Sequence, residues 1–195
     1  MSKSGRPREF KDTAVVDAAV EVFRTKGYEA CSTEELCKQT GLGRGSLYNA
    51  FGSKHELYEH ALQRYHETGI QAQIEILEQE GPVKECLRSL LKWEIPEKPE
   101  GDSRSCLLIN AAAERAKSDP IVGKIFKQHV DLLEHAIWKA IQRGQKTGEI
   151  SKERSTSELA GMFLSSYYGL RVIFPATLDY ELAERIIEGT LTSIF

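Results

Sequence analysis

Long apolar segments are absent from this sequence of 195 residues. No run approaches the roughly 20 consecutive apolar residues that an α-helix needs to cross a bilayer. The N-terminus carries no apolar stretch of the kind found in secretory signal peptides. We therefore expect a cytoplasmic protein without a membrane partner.

Paired cysteine motifs are absent. Cys31, Cys37, Cys86 and Cys106 form no CxxC pair and no Cys/His spacing typical of a zinc site. In a cytoplasmic protein such thiols are expected to be reduced. The spacing therefore predicts no metal site.

Catalytic motifs are missing as well. The five histidines show no HExxH spacing, and the sequence contains no glycine-rich phosphate-binding loop. No candidate nucleophile is accompanied by an evident base. We therefore expect no catalytic residues and no cofactor, and an enzyme is the least favoured function.

Excess charge of one sign is also lacking, because the net charge is only −3. Its distribution is uneven: residues 1–64 carry 10 basic and 9 acidic side chains, and residues 65–195 carry 16 and 20. Before Asp12, four basic residues accompany one glutamate. This basic arm is typical of a segment that contacts phosphates, although an ordinary solvated terminus is the alternative.

What the sequence does contain is a succession of helix signals. Ser32 and Glu35 fit a capping box, and so do Ser53 and Glu56. Pro175 is expected to end the eighth helix, since proline disrupts helix interiors. With apolar residues at helical spacing throughout, the pattern predicts an all-α protein of about nine helices and no strand.

The segment from Gly41 to Lys54 is the most informative. A glycine turn followed by a short helix with exposed polar residues is typical of a helix-turn-helix, which places its second helix in the major groove of DNA. Arg44, Ser46 and Asn49 can project from this short helix, where an arginine can pair with guanine and an asparagine with adenine.

Three further residues have chemistry suited to phosphates. Thr33 stands at the first position of the second helix, where free backbone N–H groups attract anions. Tyr48 can either reach a phosphate with its hydroxyl group or contact a thymine methyl group with its ring. Lys54 opens the fourth helix, where a cation opposes the helix dipole unless an anion completes the site.

Together these motifs resemble the DNA-binding segment of the TetR/AcrR family of repressors. The resemblance rests on Gly27-Tyr28-Glu29-Ala30, Ser32-Thr33, Gly41-Leu42, Leu47-Tyr48 and the segment from Phe51 to Leu57. It implies an all-α homodimer of about nine helices, with a DNA-binding domain over residues 1–55 and an effector-binding and dimerisation domain over 56–195.

The resemblance also implies the role of each site residue. Phosphate contacts fall to Thr33, Tyr48 and Lys54, and base-edge contacts fall to Arg44, Gly45, Ser46 and Asn49. Two positions depart from the family pattern: Gly43 replaces a capping serine, and Ala50 replaces an aromatic residue or histidine. The first departure predicts a weaker start of the third helix.

For the C-terminal part, the resemblance implies a dimer face on the last two helices. A stripe of small residues on helix eight would allow a second helix to approach closely, with apolar area supplied by helix nine. The expected interface residues are Gly161, Ser165, Gly169, Leu182 and Ile186. Packing within the chain is the alternative use of this face.

The resemblance further implies a ligand pocket in this part of the chain. Candidate lining residues are aromatic or polar, namely Tyr65, Trp93, Cys106, Asn110, Phe126, His129 and Tyr167. Plain core packing is the alternative for each aromatic residue, and His129 is more typical of a helix surface. Asn110 and Glu114 are polar residues within an apolar helix, and their partner is either a ligand or another helix.

The leading hypothesis is thus a repressor that binds a palindromic operator as a dimer and is released by a small-molecule effector. A thiol-based sensor acting through Cys106 is a variant, because a helix start and the neighbouring Arg104 can lower a thiol pKa. An architectural DNA-binding or interaction protein without a ligand is a further alternative.

Overall fold

A computed structural model describes residues 8–93, 95–96 and 105–195, with only the backbone described for residues 8–12. This part of the chain forms helices and no strand, as expected. The helices are α1 (Arg8–Lys26), α2 (Thr33–Thr40), α3 (Arg44–Phe51), α4 (Lys54–Glu78), α5 (Val83–Lys92), α6 (Leu107–Arg115), α7 (Pro120–Thr147), α8 (Thr156–Thr177) and α9 (Tyr180–Thr192). The side chains of the basic arm lie outside the described part.

The chain divides into two compact units. Unit 1 contains residues 1–67 and 107–126, and unit 2 contains residues 68–106 and 127–195. Two of the boundaries between the units fall inside long helices. The boundary after residue 67 lies in α4, and the boundary after residue 126 lies in α7. The functional boundary expected after residue 55 stays a prediction.

Unit 1 is organised around α1, which contacts both α2 and α6. Phe23 on α1 is fully buried, and its ring meets the buried ring of Tyr58 on α4 edge to face, with centroids 4.8 Å apart. Leu36 on α2 and Leu47 on α3 are also buried. One small core therefore fixes both helices of the helix-turn-helix.

Unit 2 has the larger apolar core, which α5, α7, α8 and α9 share with the last part of α4. Within it, Gln73 donates a hydrogen bond of 2.9 Å to the Tyr167 hydroxyl group. The turn into α8 is fixed by Gln145, whose amide donates to the carbonyl groups of Ser151 and Arg154 at 3.0 and 2.9 Å. The amide nitrogens of Gln73 and Gln145 thus have hydrogen-bond partners of the kind that burial requires.

The end of α8 differs from the expectation. Pro175 does not terminate the helix, which continues to Thr177. Leu178 then adopts a left-handed conformation with φ of 52°, and its N–H group donates to the Phe174 carbonyl at 2.8 Å. This capping bond closes the final turn, so the proline lies inside that turn.

Among the described helices, none combines the length and the apolar character needed to cross a membrane.

Candidate nucleic-acid interface

The candidate interface is built from α2, α3 and the turn that joins them. Gly41 ends α2 with φ of 70°, a conformation that glycine adopts without steric cost. Beyond this turn, Leu47 and Phe51 bury one side of α3, being 1% and 8% exposed. The buried side fixes the orientation of the helix, so the opposite side is available to a partner.

The start of α2 is fixed by the expected capping box. Ser32 accepts the Glu35 N–H, and Glu35 accepts the Ser32 N–H in return. The Glu35 carboxylate also pairs with Lys26 at the end of α1. The hydrogen bond from Lys26, followed by those from Ser32, lowers the pKa of Glu35 to about 2. Charge and capping therefore hold α1 and α2 together.

The accessible side of α3 carries the predicted base-contacting residues. Arg44, Ser46 and Asn49 are all exposed. Gly45 is exposed too, and no atom lies within 4 Å of the position that a Cβ would occupy there. As predicted from Gly43, the helix begins without a side-chain cap. The structure thus groups these residues on one short, polar surface.

Two of the residues predicted to bind phosphate contact each other. The hydroxyl oxygens of Thr33 and Tyr48 are 2.8 Å apart and form a hydrogen bond between α2 and α3. The guanidinium carbon of Arg44 lies 5.7 Å from the centroid of the Tyr48 ring. One predicted base-contacting side chain and two predicted phosphate ligands therefore form a single cluster.

The third predicted phosphate ligand, Lys54, lies against a different aromatic ring. Its ammonium nitrogen is 4.3 Å from the centroid of Tyr28, a residue of the turn between α1 and α2. This is the geometry of a cation–π contact. Because Lys54 is the first residue of α4, this contact holds its ammonium group next to the helix-turn-helix.

The turn between α1 and α2 is held by two residues of α6 whose part in this site was not predicted. The Glu114 carboxylate accepts the N–H groups of Tyr28 and Glu29 at 3.1 and 3.0 Å. Arg115 donates to Glu29 at 2.7 Å, and its guanidinium carbon is 4.1 Å from the Tyr28 ring centroid. The partner of Glu114 is therefore another segment of the chain. The polar residues of the otherwise apolar α6 were the available signal.

Comparison with known proteins identifies this arrangement. A family model described as "Bacterial regulatory proteins, tetR family" matches residues 15–61, which include α2 and α3. Over 194 residues the chain is 31% identical to the uncharacterized HTH-type transcriptional regulator YezE of Bacillus subtilis (strain 168), covering 96% of this chain and 98% of YezE. The chain belongs to the TetR family.

Two further relatives are informative. The HTH-type transcriptional repressor BdcR of Escherichia coli (strain K12) is 40% identical over 88 residues, or 45% of each chain. A cysteine mutant of the TetR-family regulator CifR, solved with 26-base-pair operator DNA, has 25% identity and a TM-score of 0.77 over 96% of this chain and 99% of CifR. The present TetR-family protein is thus a DNA-binding transcriptional regulator and not an enzyme.

The predicted pocket residues of this TetR-family protein are distributed over both units. Tyr65, Asn110 and Phe126 belong to unit 1, whereas the other four belong to unit 2, namely Trp93, Cys106, His129 and Tyr167. Two hollows described in unit 2, of about 370 and 380 Å³, are lined by other residues. The pocket assignment therefore stays a prediction.

Two of the predicted pocket residues, His129 and Cys106, are buried. His129 is only 3% exposed, so the expectation of a surface histidine was wrong. Its spacing from Leu133 and Ile137 places it on the same buried side of α7. Cys106 is 7% exposed and immediately precedes α6, while Arg104 lies outside the described residues. A sensor role for Cys106 stays a prediction.

The predicted dimer residues lie on an accessible side of α8 and on α9. Gly161 and Ser165 are exposed, and no atom lies within 4 Å of the Cβ position at Gly161 or Gly169. Val172, further along α8, is 54% exposed. Leu182 and Ile186 on α9 are half-buried. This face has room for a second copy, and its use in a dimer stays a prediction.

Proposed function

We propose that this regulator is a repressor that acts as a homodimer. Each subunit places α3 in the major groove at one half of a pseudo-palindromic operator, and a small-molecule effector releases the dimer from DNA. The observation that carries the proposal is the exposed polar side of α3 beside the Thr33–Tyr48 hydroxyl pair. We place the protein in the cytoplasm, where it can reach the chromosome.

Base recognition is assigned to the exposed side of α3. The Arg44 guanidinium can donate two parallel hydrogen bonds to guanine, and the Asn49 amide can bond adenine through both of its polar atoms. Ser46 adds a hydroxyl group that either donates or accepts. The open space at Gly45 allows DNA to approach the α3 backbone closely.

Phosphate contacts are assigned to Thr33, Tyr48 and Lys54. Thr33 is the first residue of α2, where the N–H groups of the first turn that the Ser32 capping box does not use favour an anion. The Tyr48 hydroxyl lies beside it. Lys54 supplies a full positive charge at the start of α4. Such contacts set the register of a protein on DNA without reading its sequence.

The dimer is supported by geometry and by the operator of a relative. Two identical DNA-binding helices must match half-sites separated by about 34–36 Å or a multiple. The 26-base-pair operator of CifR would extend about 88 Å as B-DNA, which accommodates two such half-sites. The stripe at Gly161, Ser165 and Gly169 would allow helices of two subunits to pack closely.

Repression is supported by BdcR, a relative described as a repressor. Effector control is supported by a hollow of about 380 Å³ in unit 2, lined by Ile95, Tyr180 and Ile187 together with Lys92. Ligand pockets usually measure about 300–1,000 Å³ and combine apolar walls with a few polar groups. By linkage, an effector that releases DNA must itself bind the DNA complex more weakly by the same factor.

Operator binding can be tested with full-length protein. Operators would be selected from a randomised palindromic library, and affinity would then be measured by fluorescence anisotropy at several salt concentrations. We expect sequence-selective binding that weakens as salt increases. Asn49→Ala should bind with less sequence selectivity. Gln39→Ala replaces an exposed residue of α2 and should behave like the wild type. Binding without sequence preference would contradict the proposal.

Effector control requires a second measurement. Compounds that raise the melting temperature of the protein would be added to the operator complex. We expect at least one of them to lower operator affinity, and operator DNA should weaken binding of that compound equally. Compounds that bind unit 2 and leave operator affinity unchanged would argue against release by an effector.

A further inference from the structure

Three potential metal ligands converge within unit 1. His55 and Glu59 lie one turn apart on α4, and Asp119 precedes α7. The Nε2 atom of His55 is 3.1 Å from Glu59 Oε1 and 3.4 Å from Asp119 Oδ2. All three ligand atoms lie within 4.8 Å of one another. A single ion could therefore contact all three side chains.

Asp119 provides an independent sign that a cation belongs here. The side chain is only 5% exposed. Its Oδ1 atom caps α7 by accepting the N–H groups of Ile121 and Val122 at 3.1 and 3.3 Å. Its Oδ2 atom is buried and accepts no hydrogen bond from the residues that the structure describes. The nearest positive or potentially positive groups, Arg115 Nε and His55 Nε2, lie 3.6 and 3.4 Å from it, so this buried oxygen still has lone pairs available to a cation.

The two measured separations from His55 Nε2 are close to those around a tetrahedral ion. Zinc bonds of about 2.0–2.2 Å to nitrogen and oxygen place tetrahedral ligands about 3.3–3.6 Å apart. The observed separations of 3.1 and 3.4 Å from His55 Nε2 differ little from this range. Imidazole and carboxylate groups are both established zinc ligands. Small shifts of the side chains would complete three corners of a tetrahedron.

The local charge is also suitable. The Nε atom of Arg115 lies 3.6 Å from Asp119 Oδ2 and would by itself repel a cation. However, the guanidinium group of Arg115 is bonded to the Glu29 carboxylate at 2.7 Å. With Glu59 and Asp119, three carboxylates oppose one guanidinium group, and Glu114 and Lys54, which both contact Tyr28, add one charge of each sign. The two remaining negative charges match one divalent ion.

We propose that His55 Nε2, Glu59 Oε1 and Asp119 Oδ2 bind a divalent transition-metal ion of the zinc class, with solvent completing the coordination. The ion would join the first two turns of α4, which begins at Lys54, to the turn before α7. None of these three ligands is assigned to the proposed operator or effector. A protonated His55 that merely bridges the two carboxylates is the competing arrangement, and the test separates the two.

The test uses full-length protein stripped of metal with a chelator. Cobalt(II) serves as the spectroscopic probe, and zinc affinity is measured by calorimetric titration. We expect one ion per chain and a visible spectrum typical of tetrahedral nitrogen and oxygen ligands. His55→Gln should weaken zinc binding by more than roughly tenfold, since even outer-shell partners of metal ligands contribute that much. His60→Gln changes an exposed histidine on the same helix and should bind zinc normally.

A second variant and a measurement on the wild type keep the test decisive if His55→Gln fails to fold. Asp119→Asn retains a side-chain oxygen that can cap α7 but removes the charge, so it should also weaken zinc binding. X-ray absorption of the zinc-bound wild type should show nitrogen and oxygen neighbours that include imidazole. The proposal is overturned by the absence of stoichiometric binding, by equal zinc affinity in wild type and His55→Gln, or by sulfur neighbours of the metal.

Discussion

Helices α3 and α8 both expose one side, but the chemistry of the two sides is different. The accessible side of α3 offers hydrogen-bonding groups, from Arg44, Ser46 and Asn49. The accessible side of α8 offers small residues and apolar area, from Gly161 to Val172. Hydrogen-bonding groups distinguish one base pair from another, whereas a small apolar face suits close contact with another helix. The two helices therefore fit two different kinds of partner.

The two helices also differ in what stabilises them. With eight residues and no side-chain cap, α3 depends on the packing of Leu47 and Phe51. By contrast, α8 has 22 residues, a Ser155 cap and buried side chains along most of its length. Isolated helices shorter than about 12–15 residues are marginal in water. A DNA-binding surface as small as α3 consequently needs a rigid support in unit 1.

The largest effect is expected from a charge on the accessible side of α8. Val172→Asp should convert the proposed dimer to a monomer, because an unpaired carboxylate would be desolvated in the interface. Loss of the second DNA-binding helix should lower operator affinity by about 10²–10⁴-fold. Analytical ultracentrifugation and anisotropy would measure the two effects. Ile121→Asp, at an exposed apolar position of α7, is the control. A Val172→Asp protein that stays dimeric would show that α8 faces no second copy.

The next effect concerns the accessible side of α3. Arg44→Ala should cost about 1–3 kcal/mol of operator binding for each subunit and relax the sequence preference at one base pair in each half-site. Because Arg44 is exposed, the melting temperature should change little. Lys38→Ala removes an exposed cation from α2 and serves as the control. A uniform loss across all DNA sequences would assign Arg44 to phosphate instead.

A smaller effect is expected at Lys54. Lys54→Gln should weaken binding to all sequences alike and reduce the slope of log affinity against log salt by about 0.9 for each subunit. Lys54→Arg should preserve most of that slope, since it retains the charge. Affinities at four or five salt concentrations would give the slopes. An unchanged slope in Lys54→Gln would mean that the ammonium group contacts only Tyr28.

The smallest effects come from adding one methyl group to each helix. Gly45→Ala and Gly161→Ala should each raise the free energy of unfolding by about 0.5–1 kcal/mol, because alanine favours helix and both positions are open. Their functional effects should differ: the first should weaken operator binding, and the second should weaken dimerisation. Chemical denaturation, anisotropy and ultracentrifugation would separate these outcomes. Normal operator affinity in Gly45→Ala would contradict close approach of DNA to the α3 backbone.

Local signals in the sequence were sufficient to predict the helix-turn-helix. The capping box at Ser32 and the glycine turn at Gly41 act within a few residues, and both were confirmed. The uncapped start of α3 at Gly43 was also confirmed. Such features depend on neighbouring backbone groups, which a sequence displays directly.

Long-range partners could not be predicted from local signals in the sequence. Glu114 bonds N–H groups more than 80 residues away, and periodicity alone could indicate only that it needed a partner. The buried position of His129 follows from its alignment with Leu133, which competes with the usual exposure of histidine. The prediction that Pro175 ends α8 was wrong. The helix continues to Thr177, where the N–H group of the capping residue Leu178 bonds the Phe174 carbonyl. In each case a tertiary or terminal contact outweighed the residue's average preference.

The bond between Thr33 and Tyr48 has a consequence for the energetics of DNA binding. The two hydroxyl groups hold two protons, and one of these protons is already used between them. A phosphate that accepts from both groups must first break that bond. Contact with DNA is therefore an exchange of hydrogen bonds at this point, and its net gain is smaller than two new bonds would supply. In return, the free protein keeps both oxygens in place and needs little reordering when a phosphate arrives.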